Sequence, residues 1–432
     1  MNKTIPPGRR SGSVTIPSSK SVVHRLMICA ALGEHPVRLE IDGLSKDILA
    51  TANCLRALGA EIEVSDREIR IQPIGRREEQ ASEALLLTGE SGSTLRFLLP
   101  VVGALGRKAV FRMEGRLSDR PLAPFDRLLT EHGMCIRKEG CLLHCSGKLA
   151  GGNYPLPGNV SSQYFSGLLM ALSLLREESL LTVEGELESE AYVRLTEDAL
   201  RLSGICFEKR DGFGWHIPGN QIPAPPAVLR AEGDWSNAAF YLCMGALSNE
   251  GVTVAGLNPQ STQGDRSVTE ILRSFGAEIT FSPEGGITVK QGDKKPIRID
   301  AAPVPDLVPV LAVLCCAAGG TSEIYNAARV RLKESDRLHT TTALIRCCGG
   351  DVEEHADGLT IHGTGTLRGG AVDAFNDHRI AMSAAVAACL CREPVSVSGA
   401  ECVEKSYPAF WQDYENLTLP TVSEAGENNA LE

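Results

Sequence analysis

The chain has 432 residues, of which 43% are apolar and 22% charged, and a formal net charge of −11 at pH 7. This length suits two or three ordinary domains or two large ones, and the acidic balance argues against a nucleic-acid binder. No apolar run approaches the ~20 residues of a membrane span, and residues 1–14 lack the apolar core of a secretory signal. We therefore expect a cytoplasmic protein with neither a nucleic-acid nor a membrane partner.

The 14 cysteines do not indicate a disulfide scaffold or a zinc site. No CxxC motif occurs, and no His/Cys group has the spacing of zinc ligands. Cys315-Cys316 and Cys347-Cys348 are adjacent in apparent helices, where geometry disfavours a bridge within each pair. We interpret the cysteines as small buried residues of a reducing compartment and predict no bound metal.

Two sequence signatures recur along the chain with a period of about seventy-two residues, which indicates a repeat architecture. One is an apolar helix of small residues that follows a polar or acidic start. The six starts are Ser21, Thr94, Ser162, Asp234, Asp306 and Asp377. The other is an amphipathic helix that ends at a glycine and precedes an alternating strand. These glycines are Gly59, Gly133, Gly204, Gly276 and Gly349.

The sixth unit lacks a strand after its last helix, which ends near Leu417. We predict that the segment Ile5 to Ile16 supplies this strand, so that the chain crosses between two three-unit domains near Lys20 and near Glu232. The predicted domains are residues 20–231 and residues 1–19 plus 232–417. Residues 418–432 form a polar tail by composition.

Cationic side chains cluster at equivalent points of the repeat. Lys20, Arg25, Arg96 and Arg379 belong to apolar helices, whereas Arg120, Lys333, Arg337 and Lys405 precede the outer ones. If the six helix starts converge, their dipoles contribute perhaps ~3 kcal/mol in total, while micromolar affinity needs ~8 kcal/mol. A single such cation is most simply a solvated surface charge, but eight at equivalent points indicate a shared anion site.

Seven segments resemble motifs of the 5-enolpyruvylshikimate-3-phosphate synthases, in register from Pro17 to Trp411. They are PSSKSVVHR, ESGSTLRFLLP, SDRP, VSSQYFSGLL, RLKESDRL, FNDHRIAM and EKSYPAFW. The resemblance implies a mixed α/β fold, a two-domain inside-out barrel of six βαβαββ units, three in each domain. It also implies an enzyme that transfers the enolpyruvyl group of phosphoenolpyruvate to the 5-hydroxyl of shikimate 3-phosphate without metal or cofactor. The resemblance further implies inhibition by glyphosate. We expect a monomer, although the sequence does not give the oligomeric state.

The resemblance carries roles to individual residues. Shikimate 3-phosphate would be bound by Lys20, Ser21, Arg25, Ser161, Ser162, Gln163, Ser189, Asp306 and Lys333. Phosphoenolpyruvate would be bound by Lys20, Gly92, Arg120, Gln163, Arg337, Arg379 and Lys405. The reaction needs a base for the acceptor hydroxyl and an acid for the methylene carbon. Asp306 is the expected base and Glu334 the expected acid, with Lys20 as its competitor.

Simpler interpretations exist for several of these positions. Asp306 would also suit a helix cap, and Glu334 an ion pair with Arg337 three residues on. Glu90 stands where these enzymes commonly carry asparagine; it would pair with Arg96 or Arg120, or point inward and weaken anion binding. His24 departs similarly, and we expect it to be a structural histidine.

Two other functions remain open from the sequence. A related family transfers enolpyruvyl to UDP-N-acetylglucosamine, but it has asparagine where this chain has Ser21. It also usually carries a reactive cysteine in the loop matching Met113 to Pro121, which here has none. The other alternative is a repeat protein that binds anions without catalysis. The presence of both carboxylates and every expected cation disfavours it.

Overall fold

The computed structural model describes residues 1–75, 83–210, 214–282 and 286–418, so the predicted tail lies outside the described residues except for Thr418. These residues form a mixed α/β fold with six sheets. Two strands come first, β1 (Asn2–Ile5) and β2 (Gly12–Thr15), and they belong to different sheets.

The first three repeat units follow in chain order. Unit one contains α1 (Lys20–Ala31), β3 (Val37–Glu40), α2 (Lys46–Ala57), β4 (Glu61–Val64) and β5 (Glu68–Gln72). Unit two contains β6 (Ala84–Gly89), α3 (Gly92–Ala104), β7 (Ala109–Met113), α4 (Phe125–Glu131), β8 (Met134–Glu139) and β9 (Leu142–Gly147). Unit three contains β10 (Gly152–Pro157), α5 (Ser162–Leu172), β11 (Ser179–Glu184), α6 (Glu190–Leu202), β12 (Glu208–Arg210) and β13 (Gly214–Ile217). Strand β14 (Val228–Arg230) then returns to unit one and pairs in parallel with β3.

The remaining three units repeat this order. Unit four contains α7 (Trp235–Ala246), β15 (Val252–Ala255), α8 (Val268–Phe275), β16 (Glu278–Phe281) and β17 (Ile287–Lys290). Unit five contains β18 (Arg298–Asp300), α9 (Val308–Cys315), β19 (Gly320–Tyr325), α10 (Arg337–Cys347), β20 (Asp351–His355) and β21 (Gly358–Gly363). Unit six contains β22 (Gly370–Asp373), α11 (His378–Ala388), β23 (Val395–Ser398) and α12 (Phe410–Asn416). Short 3-10 helices at Gly115–Asp119, Gly264–Ser267, Pro305–Leu307, Ala328–Leu332 and Ala400–Lys405 lie in the connections.

All six units use one pairing scheme. The first strand runs parallel to the second, which is antiparallel to the last strand of the unit; in unit three Gly152 lies opposite Ser179, and Ser179 opposite Ile217. In units two, three, five and six a buried helix joins the parallel pair, as a parallel connection requires. In units one and four the first strand comes from a distant part of the chain, as β14 and β2, and the buried helix directly precedes the second strand. The unit-six sheet has three described strands, and β1 is its last, antiparallel to β23. Strand β2 opens unit four beside β15. The predicted segment Ile5 to Ile16 is therefore wrong in its bounds, because Asn2–Ile5 closes unit six and the downstream strand serves another sheet.

Buried apolar side chains form two clusters. One spans positions 23–231, and the other combines Ile5, Val14 and Ile16 with positions 235–417. We call these parts the N-terminal half and the C-terminal half. The amide of Ser19 donates to the Glu232 carbonyl (2.7 Å), so the two predicted crossings lie side by side. The domain division remains a prediction, which the two separate cores support.

Local sequence signals explain many helix ends. The five repeat glycines have φ between +73° and +105°, a conformation that costs a residue with Cβ more than it costs glycine. The predicted starts Asp234 and Asp377 are confirmed as the caps of α7 and α11, where they accept backbone N–H groups. At α3 and α5 the caps are Ser91 and Ser161, which precede the predicted starts Thr94 and Ser162. Helices α3 and α5 approach closely at Gly167, where an added Cβ would lie 2.4 Å from the Arg96 carbonyl oxygen.

Ten of the 14 cysteines are buried, as expected, whereas Cys135, Cys141, Cys206 and Cys347 are exposed. All are free thiols in the described structure. The part of the chain that the structure describes contains no helix with both the length and the apolar character that a membrane crossing requires.

Candidate active site

A cavity of about 250 Å³ lies between the two halves, where the buried helices begin. The starts of α1, α3, α5 and α11 and the 3-10 helix before α9 contribute to its wall, so the helix starts of five units converge on the cavity. The remaining buried helix, α7 of unit four, does not contribute to the wall. Its cap Asp234 accepts the backbone N–H of Lys20 (3.1 Å). The predicted site residues that line the cavity are Lys20, Ser21, Arg25, Gly92, Arg120, Ser161, Ser162, Gln163, Ser189, Asp306, Lys333, Glu334, Arg337 and Arg379.

Arg337 connects three carboxylates at the centre of this wall. Its Nη1 donates to Asp306 Oδ1 (2.7 Å), its Nη2 to Glu334 Oε2 (2.7 Å) and its Nε to Asp377 Oδ2 (2.9 Å). The side chain is only 1% exposed. The Glu334–Arg337 ion pair suggested by their spacing is thus present. The guanidinium expected to bind a substrate anion is held here by carboxylates of the protein itself.

Asp306 is not a helix cap, because it lies inside the 3-10 helix Pro305–Leu307, whose cap is Val304, and the cap of α9 is Leu307. Its carboxylate instead accepts Arg379 Nη2 (3.1 Å) and the Tyr192 hydroxyl (3.2 Å), and Lys333 Nζ lies 3.4 Å away. Burial opposes ionisation, but the cations, led by Arg379 and Lys333, outweigh it and hold the pKa of Asp306 well below its ordinary value. The group is therefore an anion surrounded by donors.

The protonation states of Glu334 and Lys20 also follow from burial and charge. Burial favours the neutral form of Glu334, but Arg337 and Arg120 outweigh it, and its pKa lies well below the ordinary value. Burial disfavours the charged form of Lys20, yet Asp47, whose Oδ2 accepts its Nζ at 2.8 Å, together with Glu334 raises the pKa of Lys20. Of the two candidate acids, Lys20 is the one whose pKa shift favours the protonated form.

Some guanidinium nitrogens in the wall are buried without a hydrogen-bond partner among the described residues. They are Nη1 of Arg379 and Nε of Arg96 and Arg120. Buried donors are normally satisfied. The lining includes eight Lys or Arg side chains and three carboxylates, so the cavity is cationic in a protein of net charge −11. Such a site suits an anionic ligand.

The N-terminal half supplies a polar surface opposite these charges. Arg96 Nη1 donates to Gln163 Oε1 (2.9 Å), and Gln163 Nε2 donates to Ser93 Oγ (2.9 Å), which fixes the amide. Arg25 donates to Thr196 Oγ1 (2.7 Å) and to the carbonyl of Ser21 (2.7 Å). Burial lowers the pKa of Arg25 to about 9. These bonds orient the side chains before any ligand binds.

Ser189 lies where the halves meet and has a left-handed backbone (φ 54°). Its Oγ donates to the carbonyl of Ala302 (3.2 Å) and accepts Arg329 Nη1 (3.3 Å), while Arg329 also pairs with Glu188 (2.6 Å). The predicted site residue Ser189 therefore contacts the C-terminal half directly.

Lys405 is the predicted site residue that does not line the cavity. Its Nζ donates to Glu90 Oε2 (2.7 Å) and to the carbonyl of Asn376 (2.5 Å). The expected pairing of Glu90 with Arg96 or Arg120 was wrong, because its carboxylate instead accepts Lys405 and the side-chain amide of Asn376. No local pattern indicates this pairing, since the two residues are 315 positions apart.

His24 and Gly92 have clear environments. His24 is fully buried, its Nδ1 lies 2.7 Å from Thr51 Oγ1, and burial lowers its pKa well below the ordinary value; it is outside the cavity lining, in line with a structural role. Gly92 lines the cavity without a positive φ, and a Cβ there would lie 2.6 Å from Arg96 Nη1 and 2.9 Å from Arg120 Nη1.

Sequence reasoning missed several residues of the wall. These are Asp47, Tyr192, Arg329 and His378, along with Asp377 behind Arg337. His378 lies within the motif FNDHRIAM, and Tyr192 lies one helical turn after Ser189, so both had a nearby signal. No sequence signal indicated Asp47, because it lies in the first turn of α2, which is the second helix of its unit. Among the described residues, no group of three or more His, Cys, Asp or Glu could hold a metal ion.

In the part of the chain that the structure describes, six repeated α/β units in two halves surround a cationic cavity, and this arrangement defines the class of fold. The chain matches the EPSP synthase family (3-phosphoshikimate 1-carboxyvinyltransferase) over residues 5–414, and it belongs to this family.

Curated relatives and solved structures agree with this assignment. A 3-phosphoshikimate 1-carboxyvinyltransferase of Clostridium kluyveri is 42% identical over 416 residues, 96% of each chain. That of Clostridium acetobutylicum is 40% identical over 410 residues, covering 94% of this chain and 95% of the relative. A structure of EPSP synthase from Acinetobacter baumannii superposes with a TM-score of 0.80 at 26% identity and covers 97% of this chain and 98% of that one. The predicted resemblance and fold class are confirmed.

Proposed function

We propose that this protein transfers the enolpyruvyl group of phosphoenolpyruvate to the 5-hydroxyl of shikimate 3-phosphate and releases phosphate. The observation that carries the proposal is the position of Asp306. It is an ionised carboxylate with no capping role, placed in a cationic cavity beside a buried, unpartnered nitrogen of Arg379. A base beside anion-binding groups is what addition of a hydroxyl to an anionic enol phosphate needs.

The two substrates would share the cavity according to the chemistry of its walls. Serine hydroxyls and the Gln163 amide, in the N-terminal half, suit the phosphate and ring of shikimate 3-phosphate. Arg120 and Arg379 present planar guanidinium groups that suit the carboxylate and phosphate of phosphoenolpyruvate. Lys405 would join them on the phosphoenolpyruvate side, next to the start of α3.

The reaction proceeds by addition and then elimination. The acceptor hydroxyl loses its proton to Asp306 as its oxygen bonds to the central carbon of phosphoenolpyruvate, while the methylene carbon gains a proton from Lys20 or Glu334. In the tetrahedral intermediate, the bond between the central carbon and the bridging phosphate oxygen then breaks. The methyl carbon returns one proton to the group that had donated it, and the enol ether and phosphate leave. The arginines stabilise the charge on the departing phosphate.

Substrate binding would also adjust the base and the acid. Arg337 and Arg379 bind Asp306 directly, and this lowers its proton affinity. Substrate anions that attract these guanidiniums would raise the pKa of Asp306 and Glu334 toward ordinary values. Because the raised pKa of Lys20 favours its protonated form, we prefer Lys20 over Glu334 as the donor of the first proton to carbon. The cytoplasmic location and the monomeric state remain predictions.

A phosphate-release assay tests the proposed function. Wild-type protein should release phosphate when given phosphoenolpyruvate and shikimate 3-phosphate, and should not when UDP-N-acetylglucosamine replaces the acceptor. The reverse preference would favour the related family. Asp306→Asn should lower kcat by roughly 10²–10⁴-fold, the usual contribution of a general base. If wild type binds both compounds without turnover, the protein is a non-catalytic anion binder.

The same assay tests whether a metal takes part. We expect EDTA to leave the rate unchanged, because helix starts and cationic side chains provide the positive charge. Strong inhibition by EDTA that Mg²⁺ or Zn²⁺ reverses would contradict this expectation.

A further inference from the structure

Glu90 forms a small polar cluster with two residues of the opposite half. It lies between the end of β6 and the cap of α3, and its carboxylate accepts Lys405 Nζ at 2.7 Å and Asn376 Nδ2 at 3.0 and 3.2 Å. The side chains of Lys405 and Glu90 are 10% and 27% exposed. We call these three residues the Glu90 cluster.

The surrounding backbone is shaped to hold this carboxylate. Gly115 has φ +51°, and a Cβ at this position would lie 2.6 Å from Glu90 Cδ, so any side chain there would displace the carboxylate. Phe375 and Asn376 have φ values of +50° and +53°, which are uncommon for residues other than glycine. In this backbone conformation the side-chain amide of Asn376 donates to Glu90, and its backbone carbonyl accepts from Lys405.

The cluster lies close to the cavity but neutralises one of its expected cations. Gly92, two residues after Glu90, lines the cavity, whereas Lys405 does not. The ammonium of Lys405 is bound by a carboxylate and a carbonyl. A ligand anion that approaches it must compete with Glu90 for the same positive charge.

We propose that Glu90 sets the affinity for the second anionic substrate by competing with it for Lys405. The inference rests on the proposed function and adds a residue that weakens, rather than strengthens, substrate binding. Removing the charge should free Lys405 for the ligand, while shikimate 3-phosphate, for which Lys405 is not an expected partner, should be unaffected. The opposite expectation is that the ion pair mainly holds the halves together, so that its loss weakens binding of both substrates.

Steady-state kinetics of Glu90→Gln distinguish these cases. We expect KM for phosphoenolpyruvate to fall about five-fold, near the upper range for a partly exposed ion pair, with KM for shikimate 3-phosphate as in wild type. The matched control is Glu404→Gln, since Glu404 forms another ion pair between the halves, with Lys46 (2.7 Å). The side chains of Glu404 and Lys46 are 46% and 64% exposed. This control should leave both KM values unchanged.

A double-mutant cycle tests whether Lys405 mediates the effect. In a Lys405→Met background, Glu90→Gln should no longer improve KM for phosphoenolpyruvate, because its target charge is gone. An improvement that persists without Lys405 would overturn the competition, as would an unchanged or raised KM in Glu90→Gln alone. A wild-type protein that releases no phosphate would instead reject the proposed function, and this inference with it.

Discussion

Individual side chains in the cavity are governed by two opposing effects, burial and local charge. Burial by itself would protonate Asp306 and Glu334, because a carboxylate loses solvation when it leaves water. Arg337 donates to both of them and to Asp377, which reverses this preference. The carboxylates and the arginine therefore stabilise one another, and removing one partner exposes the others to the cost of burial.

This balance predicts a pH dependence of stability. The pKa of Glu334 is lowered well below its ordinary value of 4.5 in the folded state, so the unfolded chain takes up its proton first as pH falls. The stabilisation is complete above the unfolded pKa and is lost as pH falls through the folded pKa. The free energy of unfolding should therefore decrease on acidification, with a slope of up to about 1.4 kcal/mol per pH unit for this proton.

Glu334→Gln should flatten that slope below about pH 5, where the unfolded carboxyl starts to titrate, as measured by denaturant unfolding at several pH values. The matched control is Glu323→Gln, which removes a carboxylate from an exposed ion pair with Arg298 and should keep the wild-type slope. Equal slopes for wild type and Glu334→Gln would contradict the depressed pKa.

Lys20 is the residue on which we expect turnover to depend most. Lys20→Met removes both the proton donor and the positive charge next to Asp47, and kcat should fall at least about 10²-fold. Lys46→Met, a change of the same kind at an exposed position, should leave kcat unchanged. A folded Lys20→Met variant that keeps more than about a tenth of wild-type kcat, a deficit of only ~1.4 kcal/mol, would exclude this role.

Within the repeated unit, the two helices have different roles. In five units the second helix ends at a glycine and leads into a strand, whereas the first helix is buried in all six and begins at the cavity in five. The cavity side chains therefore come from equivalent positions of different units. A helix start adds exposed N–H groups to each position.

The start of α3 gives a prediction about Gly92. A methyl at this position would lie within 3 Å of the guanidinium nitrogens of Arg96 and Arg120, so both flexible side chains would have to move. In Gly92→Ala we expect KM for phosphoenolpyruvate to rise, and the inhibition constant of glyphosate, the longer ligand expected in this pocket, to rise further. Relative to KM, the inhibition constant of glyphosate should rise roughly 10-fold or more, the usual effect of one methylene in a pocket.

The measurement is the ratio of the glyphosate inhibition constant to KM for phosphoenolpyruvate, in wild type and in Gly92→Ala. Gly103→Ala, in the same helix but away from the cavity, is a control for disturbance of α3. It places a methyl against the Met134 and Leu149 side chains and should lower stability without changing the ratio. Equal changes in both constants for Gly92→Ala would show that the methyl does not discriminate between the ligands.

Over the whole molecule, the two halves share one cavity and are joined across it by polar contacts. Tyr192 donates to Asp306 (3.2 Å), Arg329 pairs with Glu188 (2.6 Å), and Lys405 pairs with Glu90. The connecting segments lie together on one side. Contacts of this kind can form and break as domains move, because they are few and polar.

We expect the halves to separate without ligands and to close when both substrate sites are filled. Solution scattering should give a radius of gyration matching this structure when shikimate 3-phosphate and a phosphoenolpyruvate analogue are present, and a larger one without them. Shikimate 3-phosphate with the analogue omitted is the control for partial closure. A profile that does not change at saturation would refute closure.

The sequence by itself determined the repeat, the order of elements within it and most of the cavity wall. These features are carried by local signals: a glycine ends a helix, a cap residue begins one, and an apolar helix follows at a fixed interval. The motif resemblance added the identities of the site residues, because the family places them at fixed points of that repeat. Asp306, Lys20 and Arg379 could therefore be placed at one site before any contact was known.

Only the tertiary structure decided which charges pair. Glu90 with Lys405, Arg337 with Asp377, and Lys20 with Asp47 join residues from different units or different helices, and no local pattern specifies their partners. The tertiary structure also decided that β1 pairs in unit six and β2 in unit four. By sequence alone, either strand could pair at either sheet edge. Such pairings depend on how whole elements pack together, and in this protein they set which cations are free to bind a ligand.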